Sequence, residues 1–293
     1  MVISSYSLCG FTSWLNGFSY RLGLSDSRLR RIYQSCASLD VSFMQHKRLD
    51  RSIWWPNSGL VRLASLPRCA LSGPVQEDKA AAFDVLSSLI SKTYERFENI
   101  DLRSVDGLAG TPCAPFTHLE DFVASERCRA FRIISYQDFE RVIHLALPGF
   151  SSSESILLLS ADWFPGRLFW SGEQQREALA SAVVYARRRG LCIGLPAQVL
   201  HYRINQVGLE LLRSQYHALW IPSKVWTMHA FMQLLLESDM PYARLSLLHE
   251  ACQEVLLLSR KSRRSNALGL GLRKAGAFDA TDWLAHLVAD QAI

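Results

Sequence analysis

Hydrophobic spacing changes character twice along the 293-residue chain. In the first hundred residues the spacing is helical. Behind Ser25 and Asp26, SRLRRIYQSCASL repeats Leu29, Ile32, Tyr33 and Cys36 on one face and turns its arginines to the other. EDKAAAFDVLSSLISKTYERF places Phe83, Leu86, Ile90 and Tyr94 in a single stripe, which predicts one long helix. Residues 46–75 mix Pro, Gly and Trp and predict irregular structure with one strand at GLVRLA, and residues 1–24 carry no assignable pattern. Gly107, Gly110, Pro112 and Pro115 make residues 97–118 a long loop.

From about residue 129 short aliphatic and aromatic runs take over. AFRIIS, RVIHLAL, SILLLSA, GRLFW, LCIGLP, VLHYRI and HALWIP each predict a strand. Between the fourth and fifth lies a helix: Ser171 and Gln174 form an S-x-x-Q capping box, so it should begin near Gly172. Leu179, Ala182, Val183 and Ala186 give its apolar face, and Arg187, Arg188, Arg189 and Gly190 a cationic last turn with a left-handed stop. After Pro222, KVWTMHAFMQLLLE, ARLSLLHEACQEVLLLSR and ATDWLAHLVADQ read as helices. The class expected is α+β, with a central mixed sheet over about residues 129–220, helices packed on it from the N-terminal part and a helical C-terminal part. One compact domain over 1–293 is expected, with a weak subdivision into 1–117 and 118–293.

Composition narrows the setting. With 49% hydrophobic and 20% charged residues the chain lies far from the disordered class and can bury a core without staples. Its net charge of +5 permits an acidic partner without demanding one. The seven cysteines are scattered and never spaced C-x-x-C, so no disulfide framework and no structural zinc are expected, and a reducing bacterial cytoplasm is. Neither a signal peptide nor a membrane span is legible. No cofactor is expected.

Two constellations could carry chemistry. Strand alternation sets His201 and Arg203 on one face of VLHYRI, and His144 with Val142 and Ala146 on RVIHLAL. If both strands share a sheet, two imidazoles and a guanidinium could act on a phosphate. The spacing resembles the His-hydrophobic-Thr/Ser signature of two-histidine phosphoesterases, except that Ala146 and Arg203 stand where the phosphate-holding hydroxyls belong. The second is SRKSRRSNALGLGLRKAGAF, where Arg260, Lys261, Arg263, Arg264, Arg273 and Lys274 surround Gly269, Gly271 and Gly276. This stretch resembles the glycine-rich loop of CRISPR repeat-binding ferredoxin-like proteins without their full closing glycine pair. The bland expectation is a solvated, glycine-softened connection between helices. Trp54-Trp55-Pro56 could stack bases but is expected in the core, and His249-Glu250 is expected on a polar helix face.

P-loop, H-E-x-x-H and G-x-S-x-G motifs are absent. The function expected is therefore a binding or accessory protein acting on a nucleic-acid or protein partner without catalysis, through the basic C-terminal segment and the arginines of the first helix. The alternative is a phosphate-directed enzyme, a nuclease or phosphoesterase, using His144, His201 and Arg203. A subunit of a larger assembly is the third.

Overall fold

The computed structural model describes residues 27–289, apart from residues 40, 44–48, 50, 57–58, 113, 153, 173, 238–239 and 249–252. Among them the chain runs α1 (Ser27–Ala37), α2 (Gly59–Leu63), β1 (Leu71–Ser72), α3 (Gln76–Ser87), β2 (Ile90–Asp101), β3 (Val105–Leu108), α4 (Leu119–Ala124), α5 (Tyr136–Ala146), β4 (Ile156–Ala161) and β5 (Leu168–Trp170). It continues with α6 (Arg176–Arg189), β6 (Gly194–Ile204), α7 (Gln206–Gln215), β7 (Tyr216–Pro222), α8 (His229–Glu237), β8 (Ala243–Leu248), β9 (Gln253–Ser259), α9 (Arg263–Lys274) and α10 (Ala280–Ala289). The class is α+β. The strands form two sheets, one in each of two compact units. One unit gathers the described residues of Met1–His46, Ser65–Leu89 and Gln206–Ala285; the other gathers those of Lys47–Ala64, Ile90–Asn205 and His286–Ile293.

The second unit is built on a mixed sheet in the order β2-β6-β4-β5-β3. β2 and β6 are antiparallel, β4 and β6 parallel, β4 and β5 antiparallel, and β3 and β5 parallel. Leu158, Val199, Leu179, Val183, Phe139 and Ile143 meet in its core, which places α5 and α6 on one face of the sheet. RVIHLAL is therefore helix, not strand. Phe139, Val142, Ile143 and Ala146 recur at helical spacing, and Ser135 starts the helix with a capping box. The Asp138 amide donates to Ser135 Oγ (3.2 Å) while the Ser135 amide donates to Asp138 Oδ2 (3.0 Å). AFRIIS is not a strand either: Glu126–Phe131 form a 3-10 turn that buries Cys128. LCIGLP and VLHYRI contribute to one long strand, β6, and GLVRLA supplies the short helix α2. The expected 97–118 loop contains the end of β2 and all of β3. Trp54 and Trp55 are buried: Trp54 packs edge-on to Phe122, and Trp55 contacts Phe169 and Tyr202.

The first unit holds the antiparallel sheet β1-β8-β9-β7. ARLSLLHEACQEVLLLSR, expected as a helix, supplies β8 and β9; a continuous apolar run such as EVLLL fits either state by pattern alone. β9 is buried on both faces from Gln253 to Leu258, the signature of a central strand. His249-Glu250 lies outside the described residues. The predicted stripe Phe83, Leu86, Ile90, Tyr94 also divides: α3 ends at Ser87, and Ile90 and Tyr94 belong to β2. Leu219, Ile221, Leu256, Leu258, Leu268 and Leu272 form the core of this unit, on which α1 and α9 lie.

Candidate functional site

The α6 arginines are largely engaged in structure. The helix begins at Arg176 after a left-handed Gln175, with no side-chain cap; Ser171 Oγ instead donates to Leu157 O (2.9 Å). The expected capping box is not made. The other end matches the sequence: Gly190 adopts φ 65° and closes the helix. Arg187 donates to the carbonyls of Arg103 and Val105 (2.9 Å each) and to the carboxylates of Asp106 and Glu120 (3.1 Å each). Its fork ties α6 to β3 and α4. Arg189 lies over the Tyr185 ring (5.7 Å), and Arg188 is exposed.

His144, His201 and Arg203 do not converge. His144 sits on the exposed side of α5, its Nε2 3.2 Å from Ser151 Oγ and its ring edge-on to Phe150. His201 and Arg203 share a face of β6 as strand alternation requires, and each meets a carboxylate. His201 Nε2 is 2.9 Å from Asp162 Oδ1, while Asp162 Oδ2 accepts the Ile204 amide (2.9 Å). Arg203 pairs with Glu95 across the β2/β6 ladder (2.8 Å). Asp162 and Glu95 escaped the sequence reading. The helical pattern of EDKAAAFDVLSSLISKTYERF hides Glu95, and Asp162 follows a strand at a spacing that carries no motif.

Much of the basic C-terminal segment becomes α9. Gly276 follows α9 with φ 104°, but Gly269 and Gly271 lie within the helix Arg263–Lys274 and not in a connection. Their role is close packing. A Cβ on Gly269 would lie 2.4 Å from the His217 ring, and one on Gly271 would lie 2.7 Å from Cys36 Sγ and 2.9 Å from Tyr33 O. Gly271 thus lets α1 lie directly on α9. The contacts give the pair its direction. Cys36 Sγ donates to Leu268 O (3.8 Å) and Lys274 Nζ sits over the Tyr33 ring (5.5 Å), so one helix rises as the other descends. Cys36 is buried here, which pushes its thiol up to about 12.

This antiparallel pair carries Arg28, Arg30 and Arg31 from α1 and Arg263, Arg264, Arg273 and Lys274 from α9, seven cations with no carboxylate in either helix. Cations at a helix N-terminus oppose the helix dipole by roughly 0.3–1 kcal/mol each. Antiparallel packing offsets part of that cost, because the N-terminal arginines of each helix lie alongside the carboxyl end of the other. Some of the charge is structural. Arg273 reaches Asp279 (2.9 Å) and Asp282 (3.4 Å), and Asp279 accepts the Thr281 amide at the start of α10. Arg260 donates to Tyr216 O (3.1 Å), and burial draws its guanidinium below the usual value. Lys261 and Arg263 are exposed.

Among the described residues no group of three or more His, Cys, Asp or Glu could hold a metal ion. No helix there is long and apolar enough to cross a membrane. Cys36, Cys69, Cys128 and Cys192 are free thiols. Neither a curated protein nor a solved structure matches the chain. A family model does, described as "Family of unknown function (DUF6685)"; it spans residues 94–293, which include α9 and leave out α1.

Proposed function

The chain belongs to the DUF6685 family, and we propose that it is a non-catalytic binding or accessory protein that holds a nucleic acid along the α1/α9 pair. One observation carries this reading. Two basic segments that are more than two hundred residues apart in sequence pack against each other and set seven cations on a pair of helices that contain no carboxylate of their own, with Arg273 held by Asp279 and Asp282 from outside the pair. A chain of phosphates is the complementary ligand, because its charge is regularly spaced and each contact releases condensed counterions. A cytoplasmic location accords with this role and is supported by the free thiols.

The test is fluorescence anisotropy with labelled single-stranded and duplex oligonucleotides at increasing salt. Binding should weaken with a log-log slope of about −0.9 per duplex phosphate contact, or −0.7 on single strands. Arg263→Ala with Arg264→Ala should make the slope shallower by roughly two contacts, as should Arg28→Ala with Arg31→Ala. His144→Ala and His201→Ala should leave it unchanged. Absence of binding at low salt, or slopes equal in all variants, would overturn the reading.

A second reading rests on the bond between His201 and Asp162, with Arg203 on the same strand face. A carboxylate-oriented imidazole beside a guanidinium could serve phosphodiester cleavage. A hydrolysis that is lost in both His201→Ala and Asp162→Asn, and retained in Arg263→Ala with Arg264→Ala, would favour it over the first.

A further inference from the structure

We infer that the ligand of the α1/α9 pair is a nucleic-acid duplex, bridged from one phosphate rim of its major groove to the other and bound without regard to base sequence. This rests on the nucleic-acid reading above and adds which form of the polymer fits. The cations fall into two groups. Lys261, Arg263 and Arg264 stand at the start of α9, with Lys261 and Arg263 exposed. Lys274 ends the same helix; its Nζ lies over the Tyr33 ring (5.5 Å), one turn of α1 from Arg30, with Arg28 and Arg31 on either side of that arginine. Arg273 is held by Asp279 and Asp282 and belongs to neither group. Arg264 and Lys274 are about 15 Å apart along the axis of α9, at roughly 1.5 Å per residue. Residues 265–272 between the groups carry no charge. The two polar side chains there are already engaged: Ser265 donates to Pro241 O (2.9 Å), and Asn266 shares its hydrogen bond with His217 (2.8 Å).

Shape and spacing select the duplex. Gly271 lets the two backbones meet, so the axes lie at the close end of the roughly 8–10 Å usual for packed helices. With each helix about 10 Å in diameter, the pair is about 20 Å across, too wide for a major groove of about 12 Å that admits a single helix. Laid flat, it rests on the rims of the groove, which are the phosphates of the two strands. The separation of about 15 Å between the two groups is of the order of that groove, so each group meets one strand. A single strand offers one row of phosphates and draws much of its affinity from bases stacked on aromatic rings. Tyr33 is the one aromatic residue of the two helices, and Lys274 already lies over it. With Ser265 and Asn266 engaged, the stretch of α9 that faces the groove reads no base edges, and the contact is made to the backbone alone.

Fluorescence anisotropy of the full chain at one low salt concentration, with two duplexes of unlike base composition and each of their separated strands, tests the bridge. The wild type should hold the two duplexes with dissociation constants within about twofold of each other, and roughly tenfold or more below those of the single strands. Arg263→Ala with Arg264→Ala removes one group and should narrow that preference for duplex toward unity. Arg28→Ala with Arg31→Ala should do the same from the other side, with far-ultraviolet circular dichroism unchanged in both variants. Single strands held as tightly as duplex by the wild type, a marked difference between the two duplexes, or a preference that neither pair of substitutions narrows would each overturn the bridge and leave binding along α1/α9 standing. Binding of neither form would overturn that earlier reading and the bridge with it.

Discussion

His217 illustrates how one buried side chain couples stability to pH. It is fully buried on β7, packs against Gly269 and shares a hydrogen bond with Asn266 (2.8 Å). Burial lowers it from 6.5 to about 4; the Asn266 bond opposes that shift, Arg260 and Arg273 add to it, and Asp279 opposes it. The folded state therefore keeps a neutral imidazole where the unfolded chain takes up a proton. Stability from this group is complete above about pH 6.5 and falls as the pH drops toward 4, by roughly 3 kcal/mol over the whole window. Urea midpoints between pH 7 and 4 should show that slope in the wild type and a shallower one in His217→Gln. Parallel profiles would remove the linkage.

At the scale of elements, the two capping motifs give opposite expectations. Ser135 holds the first turn of α5 through reciprocal bonds with Asp138, and the backbone and hydroxyl of Ser135 hold that carboxyl below its usual range. Ser135→Ala should cost about 0.5–2 kcal/mol. Ser171→Ala should cost less, since its exposed hydroxyl makes one bond outside any helix. Thermal midpoints of the two variants decide between them. The sequence carries S-x-x-Q at Ser171, the usual form of the box, and S-x-x-D at Ser135, and the structure uses the second and not the first. Legibility followed the length of the pattern. α6 was readable from its apolar face and from Gly190 because fourteen residues agreed. α5 was misread because a seven-residue window, RVIHLAL, hid a period that begins at Phe139. β8 and β9 were misread because a strand buried on both faces has no alternation to betray it. The alternation within VLHYRI placed His201 and Arg203 on one face correctly, while their partners Asp162 and Glu95 come from chain segments no local pattern connects.

At the scale of the whole molecule, the α+β class was readable, whereas the division of strands between two sheets was not. The sheets interrupt one another in the chain: the unit containing β1 resumes at Gln206, directly after the last strand of the unit containing β2–β6, and that unit in turn resumes at His286. Such interleaving leaves no linker for composition to mark. The absence of C-x-x-C spacing did carry through, in that the cysteines described are all unbridged. Thiol titration of the denatured protein without reductant should find all seven, and alkylation of the native protein should reach Cys69 and Cys192 well before the buried Cys36 and Cys128. A count below seven would reveal a bridge.

The Arg187 fork also has a kinetic meaning. β3 pairs with β5 across a separation of some sixty residues (Val105 opposite Leu168), and its own backbone supplies only four residues of ladder. Closing so long a loop for so short a strand returns little until α6 is in place to offer its guanidinium. β3 should therefore be among the last elements to dock in its sheet and the first to leave, with Arg187 acting on the rate of departure more than on the rate of arrival.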